Sequence, residues 1–149
     1  MLFGSSGMAS ANITDEANEE YESTSGGSGG CAVSIVKLNK GDTVDLYIGE
    51  GAYELTHPHV AEDSKVIFHP TTEETYSNLV VTAGLNNGEG GKASGGNYKN
   101  VNGGYYWAIT VDGITGAAGG EDANPFIPSR DDGQNGFVVI LRGNTNIVE

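Results

Sequence analysis

The chain has 149 residues and a mass of 15.4 kDa, which is the size of one domain. Its 20 acidic residues against 7 basic ones give a formal net charge of −13. Binding to nucleic acid or to an anionic membrane requires clustered lysine and arginine, so neither partner is expected. Since no run of about 18 apolar residues is present, membrane insertion is not expected either.

Glycine is the unusual component of this sequence. It supplies 24 of the 149 residues, more than twice the average share of about 7 %. Glycine loses the most backbone entropy on ordering, so this content indicates either disorder or an architecture in which side chains would not fit. A hydrophobic content of 37 % argues against a wholly disordered chain. Because glycine is a weak helix former, a mainly β fold is expected.

Residues 1–30 are predicted to be an acidic N-terminal arm, and residues 31–149 a glycine-rich β domain. The arm contains no lysine or arginine and ends in a run of glycines at Gly26–Gly30. Asn12 is a suitable N-cap for a short helix over Ile13–Glu22. Two interpretations of the arm are open: it is solvated and flexibly joined, or it becomes ordered on a neighbouring subunit.

The clearest strand signal follows the arm. The segments Ala32–Leu38 and Thr43–Ile48 are rich in β-branched residues, and the second alternates between apolar and polar positions. A short loop containing Gly41 separates them, which predicts a hairpin. The side chains expected to face the core are Val44, Leu46 and Ile48.

Four further strands are predicted downstream, at Lys65–His69, Ser77–Thr82, Tyr105–Val111 and Gly136–Arg142. The last of these is almost entirely apolar. Strands buried on both faces show this pattern, so Gly136–Arg142 is expected at the centre of a sheet.

A glycine-rich and asparagine-rich tract runs from Gly84 to Gly120, and within it Gly113, Gly116 and Gly119 recur at every third residue. That period matches the extended left-handed polyproline-II helix, whose backbone groups must pair with neighbours when they are buried. A flexible glycine loop is the alternative interpretation of the same residues. The predicted fold is therefore a small β-sandwich with glycine-rich loops, for which packed polyglycine-II helices are one arrangement.

Three stretches, taken together, resemble a known family. They are the predicted hairpin after Gly29-Gly30, the run Leu79–Gly84 that leads into the tract, and the ending Gly136–Arg142. This combination resembles the glycine-rich domains of bacteriophage tail-fibre, tail-tip and related virion proteins, and of some animal receptor tyrosine kinase ectodomains. The resemblance implies a small β-sandwich that carries loops of packed polyglycine-II helices.

The sequence departs from this family in two ways. Asparagines and lysines dilute the tract, and only Met1–Gly4 stands where family members have a complete opening strand. A sandwich that lacks a strand exposes unpaired backbone and an apolar groove, which another chain can fill by strand addition. An assembly partner is therefore expected.

The resemblance implies a virion structural protein of a bacteriophage, a tail, fibre or capsid-associated component. Such a protein would be assembled in the bacterial cytoplasm and work by contact with copies of itself and with other virion proteins. The alternative is a receptor-binding adhesin whose glycine-rich loops contact the host cell surface. No enzyme is expected, because the sequence has no Walker-type phosphate loop and no His-Glu-x-x-His motif. No cofactor is expected beyond the metal considered next.

Two histidines give the most specific candidate site. His57 and His59 flank a proline, and alternate positions of an extended segment project to the same side. One copy offers two imidazole nitrogens, whereas a trimer would offer six, enough for an octahedral transition metal. Some phage spike and fibre proteins resemble this arrangement. A plain surface pair is the alternative, as is a metal-dependent enzyme centred on these histidines and His69.

Three adjacent aromatic residues, Tyr105, Tyr106 and Trp107, are the candidate binding or interface residues, together with Gly113, Gly116 and Gly119 of the tract. Exposed aromatic rings beside glycine loops would suit recognition of a glycan or a protein. A core position for Trp107 is the more ordinary expectation. Cys31, between a glycine run and a strand, is interpreted as a buried structural thiol.

Overall fold

The computed structural model describes residues 1–13, 21–53, 60–121 and 132–142. Every regular element within these residues is a β-strand, and every strand pairing is antiparallel, which confirms the mainly β fold. The strands are β1 (Leu2–Phe3), β2 (Ser10–Ile13), β3 (Tyr21–Thr24), β4 (Cys31–Val33), β5 (Thr43–Tyr47), β6 (Ser64–His69), β7 (Leu79–Val81), β8 (Ala93–Ser94), β9 (Lys99–Val101), β10 (Thr110–Val111), β11 (Ile114–Thr115) and β12 (Phe137–Val138).

Two four-stranded sheets form the body of the molecule. Sheet 1 has the strand order β12-β1-β4-β9, and sheet 2 has the order β5-β6-β7-β8. Leu2 and Ala32 of sheet 1 pack against Val66, Leu79 and Val81 of sheet 2 in one buried apolar cluster. The two sheets therefore pack face to face and share a hydrophobic core.

The opposite face of sheet 1 is also covered. Phe3 and Cys31 project to this side, because successive strand residues alternate between faces, and they join Val111 in a second cluster. The cover is the hairpin β10–β11, whose turn residues Asp112 and Gly113 both have positive φ, at 49° and 80°. Two positive φ values are what a tight hairpin turn requires.

The predicted hairpin of 32–38 with 43–48 is wrong. β4 pairs with β1 and β9 in sheet 1, whereas β5 pairs with β6 in sheet 2. The chain leaves sheet 1 after Val33, and Ile35 and Leu38 are each 52 % exposed. β-branched content marks a segment as extended but does not specify its partner strand.

Two predictions of burial are also wrong. The last strand lies at the edge of sheet 1, and the residues after it, Ile140 and Leu141, are 78 % and 73 % exposed. In β5, Val44 packs on the core as expected, but Leu46 is 45 % exposed and Ile48, just beyond the strand, is 42 % exposed. Leu46, Ile48, Ile140 and Leu141 therefore leave apolar surface that the described residues do not bury.

The interpretation of residues 1–30 as a separate arm does not fit residues 1–9 or 24–30. β1 lies between β4 and β12, so the position expected to be an open groove is occupied by this chain's own Leu2 and Phe3. The glycine-rich parts on either side of β2 and β3 are buried as well. The predicted helix over 13–22 is wrong at both ends, because Ile13 pairs with Tyr21 and Asn12 with Glu22 in a two-stranded sheet. The rest of that prediction, residues 14–20, lies outside the described residues.

Candidate functional site

Eight short segments that contain most of the described glycines are joined by backbone hydrogen bonds. We call them the glycine cluster. They come from the predicted arm, from the loops between strands and from the glycine-rich tract, so distant parts of the chain meet here. The segments are 4–7, 26–30, 49–52, 83–85, 90–91, 103–104, 116–120 and 133–136.

Segment 26–30 shows how the cluster is bonded. Three consecutive backbone N–H groups donate to carbonyl oxygens of three different segments, whereas a strand would direct successive groups to two opposite sides. Three directions of bonding are what an extended helix with three residues per turn provides. The polyglycine-II conformation itself stays a prediction. The bonds are Gly27 N–H to Leu85 O (2.8 Å), Ser28 N–H to Gly104 O (2.8 Å) and Gly29 N–H to Ala117 O (3.0 Å).

The segments approach so closely that side chains would not fit between them. A Cβ atom added at Gly27 would overlap the carbonyl oxygen of Glu89, and one added at Gly119 would overlap that of Gly26. Gly116 instead leaves room for the ring of Phe3, which would lie 2.9 Å from an added Cβ. Of the three glycines predicted from their period, Gly119 packs against the backbone of another cluster segment, Gly116 lies against the ring of Phe3, and Gly113 is a hairpin-turn residue.

Serine hydroxyls inside the glycine runs form further hydrogen bonds with backbone groups of the cluster. The sequence analysis did not predict this role. Ser6 is fully buried, and its hydroxyl donates to the carbonyl of Ala118 at 2.6 Å while accepting the N–H of Gln134 at 2.6 Å. The hydroxyl of Ser28, also fully buried, accepts the N–H of Gly104 at 2.9 Å. The available signal was the position of serine within Gly-Ser-Ser-Gly and Gly-Gly-Ser-Gly-Gly, where a small side chain supplies both a donor and an acceptor.

Residues Tyr105, Tyr106 and Trp107 form an exposed turn on the glycine cluster, which we call the aromatic turn. The predicted strand over 105–111 is wrong at this point, because Tyr106 has a positive φ of 60°. The expected core position of Trp107 is also wrong: its side chain is 75 % exposed and meets the Tyr106 ring edge-on at 5.0 Å between centroids.

The glycine cluster holds this turn on both sides of its backbone. The N–H of Tyr106 donates to Gly26 O at 3.0 Å, and its carbonyl accepts the N–H of Gly119 at 2.8 Å. The Tyr105 ring contacts the backbone of Gly88, and its hydroxyl accepts the N–H of Ser25 at 3.2 Å. The turn therefore presents its rings from a fixed backbone.

The other candidate residues are placed only in part. His57 and His59 lie outside the described residues. His69 is on the surface, where its Nε2 lies 2.8 Å from a carboxylate oxygen of Asp45. Over the part of the chain that the structure describes, no three His, Cys, Asp or Glu side chains are grouped to hold a metal ion. Cys31 is buried as expected, and burial raises the pKa of its thiol to about 11.

Comparison of the chain with protein-family models, with curated proteins and with solved structures finds no match. Among the described residues, no helix has the length and apolar character needed to cross a membrane.

Proposed function

We propose that the chain is a structural protein of a bacteriophage virion, a tail, fibre or capsid-associated component, and that it acts by assembling with neighbouring virion proteins and with copies of itself. The single observation that supports this most is the glycine cluster. Its shape comes from backbone packed on backbone, in segments that offer few side chains for chemistry. Such a design suits a role in which a stiff shape is the function. A β-sandwich with glycine-rich loops also characterises the virion domains that the sequence resembles.

Charge supports the same role. A net charge of −13 keeps protomers soluble and favours docking on a basic surface of another protein. The proposed location is the virion, with assembly in the bacterial cytoplasm, and no bond-making reaction is part of the proposal.

The test is incorporation into particles. The chain is co-expressed with the proteins encoded beside it, and particles are separated from free protein on a density gradient. The proposal predicts that the chain sediments with the particles at a fixed stoichiometry. A chain that stays at the top of the gradient as free protein would contradict it.

A receptor-binding adhesin is the second candidate, and the aromatic turn favours it. Trp107 and Tyr105 are 75 % and 55 % exposed on a backbone that the glycine cluster holds, and rigid aromatic rings make effective binding anchors. The test is binding of labelled protein to host cells. Trp107→Ala should abolish binding, whereas Ile140→Ala, which removes a similarly exposed apolar side chain elsewhere, should not. Absence of binding by the unmodified protein would reject this candidate.

A further inference from the structure

The strand β5 has a neighbour on one side only among the described residues. All five of its residues pair with β6, and β5 is the first strand in the order of sheet 2. It is also the longest of the four strands at the sheet edges. Along its outer side, alternate residues present backbone N–H and C=O groups that β6 does not use. An exposed edge of this kind is a template for another strand.

Apolar side chains are exposed on both faces of this edge. Leu46 lies on the face through which Val44 reaches the core, yet it is 45 % exposed, and Ile48 beyond it is 42 % exposed. Tyr47 projects to the other face and is 53 % exposed. An added strand would therefore gain backbone hydrogen bonds and would cover apolar surface at the same time.

A groove of about 510 Å³ lies over the Tyr47 face of sheet 2, between the end of β5 and the start of β6, and we call it the edge groove. Its walls are mostly apolar, and they also carry the carboxylates of Glu62 and Asp63 and the amine of Lys65. The carboxylate of Asp63 accepts the N–H of Ala83, just beyond β7, at 2.9 Å. A long aliphatic side chain with a cationic end would match both the walls and the charge. The lining residues are Tyr47, Ile48, Glu62, Asp63, Lys65 and Ile67.

Charge argues against a second copy of this chain as the added strand. In antiparallel pairing of two β5 strands, the alignment centred on Asp45 places the two Asp45 side chains opposite each other. The neighbouring alignment, centred on Leu46, places Asp42 opposite Glu50. Like charges opposite each other destabilise a strand pair in these two alignments, and in every alignment two chains that each carry a net charge of −13 repel each other.

We propose that β5 accepts, by strand addition, an extended segment of a partner protein in which apolar and basic residues alternate. The apolar residues cover Leu46, and the basic residues project to the Tyr47 face of the sheet, towards the acidic edge groove. The segment's main chain pairs with the side of β5 on which no described residue pairs. This inference deepens the proposed function, on which it rests, because it defines the kind of virion neighbour that the chain would bind.

The binding test uses three labelled peptides about eight residues long, enough to span one strand. The first alternates lysine and valine, the second alternates glutamate and valine, and the third is the lysine peptide with a central proline. Fluorescence anisotropy should show binding of the first peptide only, weakening as sodium chloride rises from about 50 mM to about 500 mM. Equal binding of the glutamate or the proline peptide would overturn the proposal.

Two variants locate the contact. Leu46→Lys should weaken binding of the lysine peptide at least about tenfold, whereas Ile140→Lys, the same charge change at an exposed residue beyond the end of β12, should leave it within about twofold. Asp63→Asn keeps an acceptor for the Ala83 N–H and removes the charge, so it should weaken binding and reduce its salt dependence. Equal effects of Leu46→Lys and Ile140→Lys, or no effect of Asp63→Asn, would overturn the proposal.

Two further measurements separate this inference from the function on which it rests. If the unmodified protein forms dimers that Leu46→Lys dissociates, the occupant of β5 is a second copy and the basic partner is wrong. In the particle assay, Leu46→Lys should lower incorporation into particles and Ile140→Lys should not. Full incorporation of Leu46→Lys would overturn the inference and leave the virion role standing, whereas absence of the unmodified chain from particles would overturn the role itself.

Discussion

The glycine cluster and the core between the two sheets are held together in opposite ways. In the core, side chains such as Leu2 and Val81 fill the space between two sheets and are fully buried. In the glycine cluster, backbone meets backbone, and a Cβ atom at Gly27 or Gly103 would overlap a carbonyl oxygen of another segment. Removal of a side chain is therefore the damaging change in the core, whereas addition of one is the damaging change in the cluster.

The two regions are nevertheless built from the same stretches of chain. β1 runs directly into Gly4, β4 begins directly after Gly30, and β12 begins directly after Gly136. A change in the register of one region would displace the other. We therefore expect the sheets and the glycine cluster to unfold as one cooperative unit.

The largest expected effect comes from adding one methyl group to the cluster. Gly103→Ala would place a Cβ on the carbonyl oxygen of Ser28, whereas an added Cβ at the adjacent Gly104 meets nothing within 4 Å. Gly103→Ala should lower the free energy of unfolding by more than about 4 kcal/mol, and Gly104→Ala should change it by no more than about 0.5 kcal/mol. Urea denaturation measures both. Similar values for the two variants would contradict the account of the cluster.

The second prediction tests the core by removing a side chain, whereas the first adds one. Leu2→Ala removes a fully buried side chain from between the sheets. It should lower the free energy of unfolding by about 3 kcal/mol, the usual cost of a large-to-small change in a packed core. Thermal and urea unfolding provide the measurement, with Leu141→Ala as the control, since Leu141 is 73 % exposed. A loss below about 1 kcal/mol would mean that Leu2 is not a core residue.

The third prediction concerns pH and sheet 1. Burial raises the pKa of the Cys31 thiol from 9.0 to about 11. The unfolded chain therefore releases this proton at lower pH than the folded chain, and stability falls as the pH rises from about 9 to about 11, by up to about 1.4 kcal/mol per pH unit. The difference between the unmodified protein and Cys31→Ala isolates this thiol from the tyrosines. Parallel pH profiles for the two proteins would contradict burial of Cys31.

The smallest expected effect on stability is at the aromatic turn. Trp107 is 75 % exposed, so Trp107→Ala should change the free energy of unfolding by no more than about 0.5 kcal/mol. Tyr105→Phe should cost about 1 kcal/mol, because it removes the hydroxyl that accepts the Ser25 N–H. Thermal unfolding measures both variants. A larger loss of stability for Trp107→Ala than for Tyr105→Phe would show that the indole is buried against the protein and not exposed to solvent.

The sequence predicted the strands better than it predicted their partners. β7 lies within the predicted segment Ser77–Thr82, and β6 begins one residue before the predicted Lys65–His69, because β-branched and aromatic residues fit the pleated, half-buried surface of a sheet. Pairing depends on contacts far along the chain, and β1 shows why it was missed. Two apolar residues next to glycine give no strand signal, yet β4 and β12 on either side make Leu2 and Phe3 central.

The candidate site was also predicted only in part, because its contacts join residues that are far apart in the sequence. Composition indicated backbone packing, and the contacts of Gly119 agree with it, but the three-residue period also included Gly116, which lies against the Phe3 ring, and Gly113, which is in a hairpin turn. The aromatic and β-branched residues of 105–111 predicted a strand that includes Trp107, whereas residues 105–107 form a turn. The positive φ of Tyr106 depends on hydrogen bonds to Gly26 and Gly119, and no local pattern contains those contacts.

Hydrogen exchange of the amides in segment 26–30 tests the central claim most directly. If backbone packing holds the glycine cluster, the amides of Gly27, Ser28 and Gly29 should exchange only when the whole protein unfolds, at the same free energy as Ala32 in β4. Exchange of these three amides near the rate of an unfolded peptide, while Ala32 stays protected, would show that the glycine segments are not packed and would contradict the account.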